Sequence, residues 1–202
     1  MKRPLFIARQ AAMPKGILGR LIASIMAYET ATINKHAVRL LELRPSDCVL
    51  EIGFAHGQTV QHIASAVPQG LVAGLDISET MTRLAIRRNR RAVVEGRVDL
   101  RTGTCSSMPY AEGLFDKVLT VHTIYFWSEP EECLREIRRV MRPGARFVLG
   151  CMGNDESRKA KFPGAVYKFY DDSQIRRMLD SGGFAVRDHT RVANAILIVA
   201  TI

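Results

Sequence analysis

The sequence predicts an α/β fold: a Rossmann-like, mostly parallel sheet under an N-terminal helical cap. Three observations predict it. Strand-like and helix-like segments alternate from residue 46 onward. A short apolar run, Val49-Leu50-Glu51-Ile52, stops at a small-residue turn and passes into a helical pattern. The second apolar run, Leu71 to Ile77, carries an acid near its end, Asp76.

The elements follow in order. Ile17, Leu18, Leu21, Ile22, Ile25 and Met26 share one helical face, and a second helix is expected over 29–43. These two helices form a cap or lid over residues 1–45, packed on the sheet by their apolar faces. After the strand at 49–52, Val60, Ile63, Ala64 and Val67 recur at helical spacing, and Pro68-Gln69-Gly70 ends that helix. Leu71 to Ile77 reads as the second strand. Ser78 caps the next helix, which turns Met81, Leu84 and Ala85 inward. Val98 and Leu100 mark a third strand, and Phe115 to Val121 a fourth. Cys133, Leu134, Ile137, Val140 and Met141 lie on one face of a helix that Arg142-Pro143-Gly144 stops. Phe147-Val148-Leu149 forms a fifth strand. Ile175, Met178 and Leu179 give a short helix closed by Gly182-Gly183, before two strands near 184–189 and 195–201.

Composition sets the boundaries. The 202 residues are 47% hydrophobic and 24% charged, which excludes a wholly disordered chain and suits one domain spanning 1–202, with its α/β core at 46–202. The net charge of +9 suits an anionic partner without naming one. Cys48, Cys105, Cys133 and Cys151 are scattered, with no metal-ligand spacing, so reduced thiols and no bound metal are expected. No run is long and apolar enough for a transmembrane helix. Lys2, Arg3, Arg9, Lys15 and Arg20 precede the first acid, Glu29. Arg9, Lys15 and Arg20 interrupt the apolar run that a secretory signal needs, so a cytoplasmic protein is expected; mitochondrial targeting by the basic N-terminus stays open. A weak membrane-surface contact of the basic, amphipathic first helix stays open as well.

The turn carries the chemistry. Gly53-Phe54-Ala55-His56-Gly57 brings backbone close to a ligand and sets helix N–H groups beside it. It reads G-x-A-x-G, not the dinucleotide pattern G-x-G-x-x-G. Glu51, two residues before Gly53, attracts a cationic amino group and would repel a pyrophosphate. Asp76 sits where a carboxylate binds ribose hydroxyls.

Four stretches in this order resemble the class I S-adenosylmethionine-dependent methyltransferases, in their compact small-molecule branch. They are the loop Val49–Gly57, the strand end Leu75-Asp76-Ile77-Ser78, the entry Gly113-Leu114-Phe115-Asp116-Lys117-Val118, and Arg139-Val140-Met141-Arg142-Pro143-Gly144. The resemblance covers about residues 45–200. It implies a seven-stranded sheet with its last strand antiparallel, S-adenosylmethionine as cofactor, and S-adenosylhomocysteine as product. It also implies cofactor contacts from Glu51, Gly53, Ala55, Gly57, Asp76, Ile77, Thr104, Cys105 and His122. Two departures bear on affinity. Ala55 replaces the middle glycine, and Thr104 stands where the family often has an acid for the adenine amino group.

Behind strand four, His122 and Tyr125 are the candidate catalytic residues, His122 as general base or as cofactor contact. Phe126 and Trp127 read as core or pocket wall. Tyr28, Tyr167 and Tyr170 are expected to bind the acceptor. Asn34 and His36 in the cap, and the basic, aromatic stretch from Asn154 to Tyr170, are further candidates. That stretch includes Arg158, Lys159, Lys161, Phe162 and Phe169, and suits an acidic aromatic acceptor. His56 reads as a helix-start residue near the cofactor, and Arg87-Arg88-Asn89-Arg90-Arg91 as a solvated helix end. The expected reaction is methyl transfer to O, N or C of a small molecule. An RNA methyltransferase and a non-catalytic, cofactor-binding scaffold remain as alternatives. Nucleic acid is not the favoured partner, and oligomeric state does not follow from the sequence.

Overall fold

A computed structural model describes residues 3–153, 155 and 159–202, so the sequence readings at Lys2, Asn154 and Arg158 fall outside the described residues. Seven strands form one sheet: β1 Cys48–Ile52, β2 Leu71–Asp76, β3 Val98–Thr102, β4 Phe115–Val121, β5 Met141–Met152, β6 Ala185–Val192 and β7 Ala195–Thr201. Their order is β3-β2-β1-β4-β5-β7-β6, and β7 runs antiparallel to both of its neighbours. The expected sheet, with its antiparallel last strand, is present.

Strand alternation explains how the sheet is covered. Leu50 and Ile52 of β1, Val118 of β4, and Phe147 and Leu149 of β5 enter one buried cluster. Val49, Leu119 and Val148 enter the cluster on the other face. Successive side chains point to opposite faces, so near-continuous apolar strands feed both layers. The helices α3 Gln58–Ala66, α4 Glu79–Arg88, α5 Arg90–Val94, α6 Pro130–Val140 and α7 Asp172–Ser181 complete those layers. Ser78 caps α4 as expected, its hydroxyl accepting from Met81 N–H at 3.2 Å. Asp171 and Gln174 close a reciprocal capping box on α7.

Two expectations need correction. The cap is not two helices broken near residue 29. It is α1 Leu5–Ala12 followed by one continuous helix, α2 Gly16–Leu40. No Gly or Pro lies between Arg20 and Leu40, and the polar Tyr28-Glu29-Thr30 continues the helix rather than turning it. Only part of the predicted face packs inward: Ile22 and Met26 are half-buried, Ile17, Leu18, Leu21 and Ile25 are exposed, and Gly19 and Ala23 are buried. Gly19 is small because α1 and the turn after it approach closely there; a Cβ on Gly19 would lie 2.8 Å from the carbonyl carbon of Pro14.

Strand five also differs. The helix ends one residue earlier than read: Met141, expected on its apolar face, is extended and opens β5, and Arg142-Pro143-Gly144 belongs to the strand instead of stopping the helix. That segment lies where the pairing to β4 shifts register between Phe115↔Met141 and Lys117↔Arg146. Such a bulge accommodates both Pro143 and the left-handed Gly144.

Candidate active site

The strand order reverses direction between β1 and β4, where an open α/β sheet forms its crevice. A cavity of about 660 Å³ opens there, at the carboxyl ends of β1, β2 and β4. Gly53, Ala55, Asp76, Ile77, Thr104, Cys105 and His122 all line it, so the structure brings most of the sequence-predicted cofactor residues together.

The turn after β1 adopts the backbone that its glycines allow. Gly53 has φ +78° and Gly57 φ +76°. A Cβ on Gly53 would overlap the γ-methyl of Thr123, and one on Gly57 would lie 2.7 Å from the Ala85 Cβ. Gly57 itself does not line the cavity. It lets α3 start against α4, where buried Asn89 donates to Gly57 O at 3.0 Å and Ala85 O at 2.9 Å. The sequence reading missed Asn89, which lies within an otherwise exposed arginine run. Its signal was the lone amide in that run.

Ala55 sits at φ +47°, a conformation that strains a residue carrying a Cβ by about 1–2 kcal/mol. Ala55→Gly relieves that strain, with part of the gain offset by greater freedom of the unfolded chain. The expected result is a stability gain of up to about 1 kcal/mol, read as a higher urea midpoint at unchanged slope. A lower midpoint would refute the strain.

Two carboxylates converge below the turn. Asp76 Oδ2 accepts from Ala55 N–H and Oδ1 from Ser78 N–H, each at 2.8 Å. Burial raises the Asp76 pKa, and these two N–H donors oppose the rise. The carboxylate therefore ties the turn after β1 to the start of α4 and keeps lone pairs for a ligand. Glu51 is buried at the end of β1, and its Oε2 has no partner. Burial, and secondarily the charge of Asp76, lift its pKa to about 8. Glu51 does not itself line the cavity, which starts at the next residues, Ile52 and Gly53; an unpaired buried carboxyl at that position is a candidate receptor for a cationic donor. His56 lines the cavity with its Nδ1 unpartnered, and burial lowers its pKa ahead of the nearby Arg88 charge.

His122 also has positive φ, +59°, and its N–H donates to Gly150 O at 2.8 Å. Its Nδ1 lies 3.0 Å from the Tyr125 hydroxyl, which accepts from Met152 N–H. A buried tyrosine that already accepts there keeps its own proton paired only by donating to Nδ1. That tautomer leaves the His122 proton on Nε2. Burial lowers the ring pKa to about 4, so the ring is neutral at pH 7. In that tautomer His122 offers its Nε2–H as a donor. Tyr125 does not line the cavity; it stands behind His122 in an aromatic cluster with Tyr167 and Phe169.

The three tyrosines expected to bind an acceptor lie elsewhere. Tyr28 is 87% exposed on the outer side of α2. Tyr167 packs on Phe126 and Phe162, with ring centroids 4.9 and 4.8 Å apart, and Tyr170 lies under Lys168. None of the three lines the cavity. Its roof instead comes from α2, through Ala23, Met26, Ala27, Thr30, Ala31 and Asn34, with Phe126 and Trp127 opposite. Lys35 also lines it, whereas His36 turns its Nδ1 to Thr32 O. The sequence signal for this roof was the small-residue spacing of α2. Two anchors hold the roof down. Ser78 Oγ donates to Pro14 O between α1 and α2. Arg3 N–H donates to Lys161 O at 2.7 Å, and its guanidinium covers the Phe162 ring.

Thr104 and the cysteines complete the lining. Thr104 Oγ1 is engaged with Ser106 Oγ at 2.6 Å and accepts from Ser106 N–H, so its hydroxyl serves its own turn. Cys105 is disulfide-bonded to Cys133 on α6, contrary to the expectation of reduced thiols. The pair is 28 residues apart in sequence, and α6 brings the Cα atoms to 4.9 Å. Cys48 and Cys151 remain free thiols. Among the described residues no cluster of side chains could hold a metal ion.

Known proteins carry the same frame. A family model described as a methyltransferase domain matches residues 50–149. An uncharacterized methyltransferase of Bacillus subtilis is 30% identical over 125 residues, 62% of this chain and 67% of that protein. The 27-O-demethylrifamycin SV methyltransferase of Amycolatopsis mediterranei is 31% identical over 129 residues, 60% of this chain. The match spans less than half, 47%, of that relative. A solved SAM dependent methyltransferase from Aquifex aeolicus superposes with a TM-score of 0.73 at 21% identity, covering 84% of this chain and 89% of its own.

Proposed function

Because the chain belongs to the class I S-adenosylmethionine-dependent methyltransferase family, we propose that it transfers a methyl group from that cofactor to a small, largely apolar acceptor held under α2. The observation that carries the reading is a cavity that joins Gly53, Ala55 and Asp76 to an apolar roof. At about 660 Å³ it lies within the usual size of a small-molecule site.

The residues fit the cofactor. When bound, the cofactor supplies an electrophilic methyl on a sulfonium, so the protein need not generate the reactive group. In this reading the unpaired Glu51 carboxyl receives the α-ammonium, and the free lone pairs of Asp76 receive the ribose hydroxyls. Gly53 and Ala55 give the close backbone approach that the amino-acid part needs. Ile77, half-exposed at the rim, and Cys105 provide an apolar surface for adenine. With the Thr104 hydroxyl engaged in its own turn, adenine is held by packing. His122, neutral and donating from Nε2, orients rather than abstracts. Phe126, Trp127, Met26 and Ala27 exclude water and hold the acceptor in line, and orientation of this kind is worth about 7–11 kcal/mol in favourable cases. The basic, aromatic stretch at 159–170 lies outside the cavity lining, which favours an apolar acceptor over an acidic one. The acceptor atom, O, N or C, is set by the compound that fits. The rifamycin relative, whose name describes a small-molecule methyltransferase, supports this class.

Glu51 gives the reading a thermodynamic signature. With its pKa near 8, the group is largely protonated at pH 7 and must ionise to pair with an ammonium. Cofactor binding at pH 7 is therefore expected to release close to one proton. Titration calorimetry in buffers of different ionisation enthalpy measures it. Glu51→Gln should remove the release, and a wild-type protein that releases no proton would contradict the assignment.

The test of function is transfer of labelled methyl to a panel of apolar and acidic aromatic acceptors. Turnover of apolar members, weakened by Met26→Lys in the roof, is expected. Binding of cofactor with no transfer to any member would favour the scaffold alternative.

A further inference from the structure

We propose that the outer face of α2 and α1 docks the protein on an anionic lipid bilayer, independently of methyl transfer. Ile17, Leu18, Leu21, Ile25 and Tyr28 form one stripe along the first four turns of α2, and all are 45% or more exposed. Phe6 on α1 is a further exposed apolar side chain of the cap, at 57%. This stripe lies opposite the face of α2 that roofs the cavity, so the helix is apolar on two sides, and the fold uses one. Isolated exposed apolar residues are ordinary; a contiguous stripe on one helix is not.

Charge selects the occupant. Residues 1–41 hold seven Lys or Arg and one acid, Glu29, so about two thirds of the net charge of +9 lies in this cap. Arg9, Lys15 and Arg20 are exposed beside the stripe. An amphipathic helix with basic flanks seats its apolar face at the headgroup boundary and draws anionic headgroups to its cations. A second copy of this chain would set those cations against one another, which disfavours a symmetric dimer through this face. No described helix is long and apolar enough to cross a membrane, so the contact is a surface one. The stripe is distinct from the cavity, since Ile17, Leu21 and Ile25 do not line it.

The test uses the full chain with vesicles of phosphatidylglycerol and phosphatidylcholine, and with phosphatidylcholine vesicles alone. Sedimentation with the anionic vesicles is expected, falling steeply as salt is raised, with much weaker binding to the neutral ones. The variant Ile17→Ser/Leu21→Ser/Ile25→Ser should partition about tenfold or more weakly. Its unchanged helix content and S-adenosylmethionine affinity would show that the fold is intact. Three results overturn the proposal: no binding to anionic vesicles, equal binding by the variant, or a solution dimer that the variant converts to monomer. Because the readout is lipid binding, failure here leaves the methyltransferase reading standing, and failure of that reading leaves this one.

Discussion

Asp76→Ala is expected to weaken S-adenosylmethionine binding by about a hundredfold or more. Hydrogen bonds to a charged group contribute about 1.5–3 kcal/mol each, and the carboxylate offers lone pairs to two ribose hydroxyls. The same change leaves the N–H groups of Ala55 and Ser78 without their acceptor. A stability loss of about 1–3 kcal/mol should accompany the affinity loss. Asp76→Asn separates the two effects. It keeps one acceptor for a backbone N–H and loses the charge, so stability should recover more than affinity does. Affinity within about threefold of wild type in Asp76→Ala, less than 1 kcal/mol, would sink the ribose assignment.

Gly53→Ala carries the second large effect, an expected destabilisation of about 2–4 kcal/mol with loss of cofactor binding. Part of it is backbone strain at φ +78°, and part is overlap of the new Cβ with the Thr123 γ-methyl. Thr123→Ser removes that methyl and keeps the hydroxyl that bonds Thr120. The double variant Gly53→Ala/Thr123→Ser should therefore recover about half of the loss, a non-additivity that thermal or urea unfolding measures. Strict additivity would place the strain elsewhere in the turn. The contrast with Ala55 is instructive. Both positions are left-handed, but only Gly53 faces a neighbour that a Cβ must meet.

What could be read in the sequence divides along physical lines. The alternation of β1, α3, β2 and α4 was legible because each element is written in local periodicity and its own caps. Val49 to Ile52 ends at a turn that must be glycine, and Ser78 announces α4. Asp76 and the Gly53–Gly57 turn were legible as a site because strand ends are fixed in sequence. The roof was not. Its position depends on which face of α2 meets the sheet, and hydrophobicity pointed to it only in part. Ile17, Leu21 and Ile25 are more apolar than Gly19 and Ala23, yet close approach of α1 and its following turn selects Gly19, and Ala23 faces the cavity. Cys105 and Cys133 lie in segments joined only by tertiary packing, which no spacing rule reads. Tyr167 and Tyr170 looked like site residues by composition, but packing against Phe126, Phe162 and Lys168 uses them elsewhere. His122 was found by its place after β4. Its protonation state was not, because that depends on Tyr125 and Met152 around it.

The central claim is that the cavity between β1, β2, β4 and α2 is a cofactor site. Calorimetric titration of the wild-type chain with S-adenosylmethionine and with S-adenosylhomocysteine tests it most directly. Saturable one-site binding of both, lost in Asp76→Ala, is the predicted result. Absence of binding by either compound, in a folded protein, would contradict it.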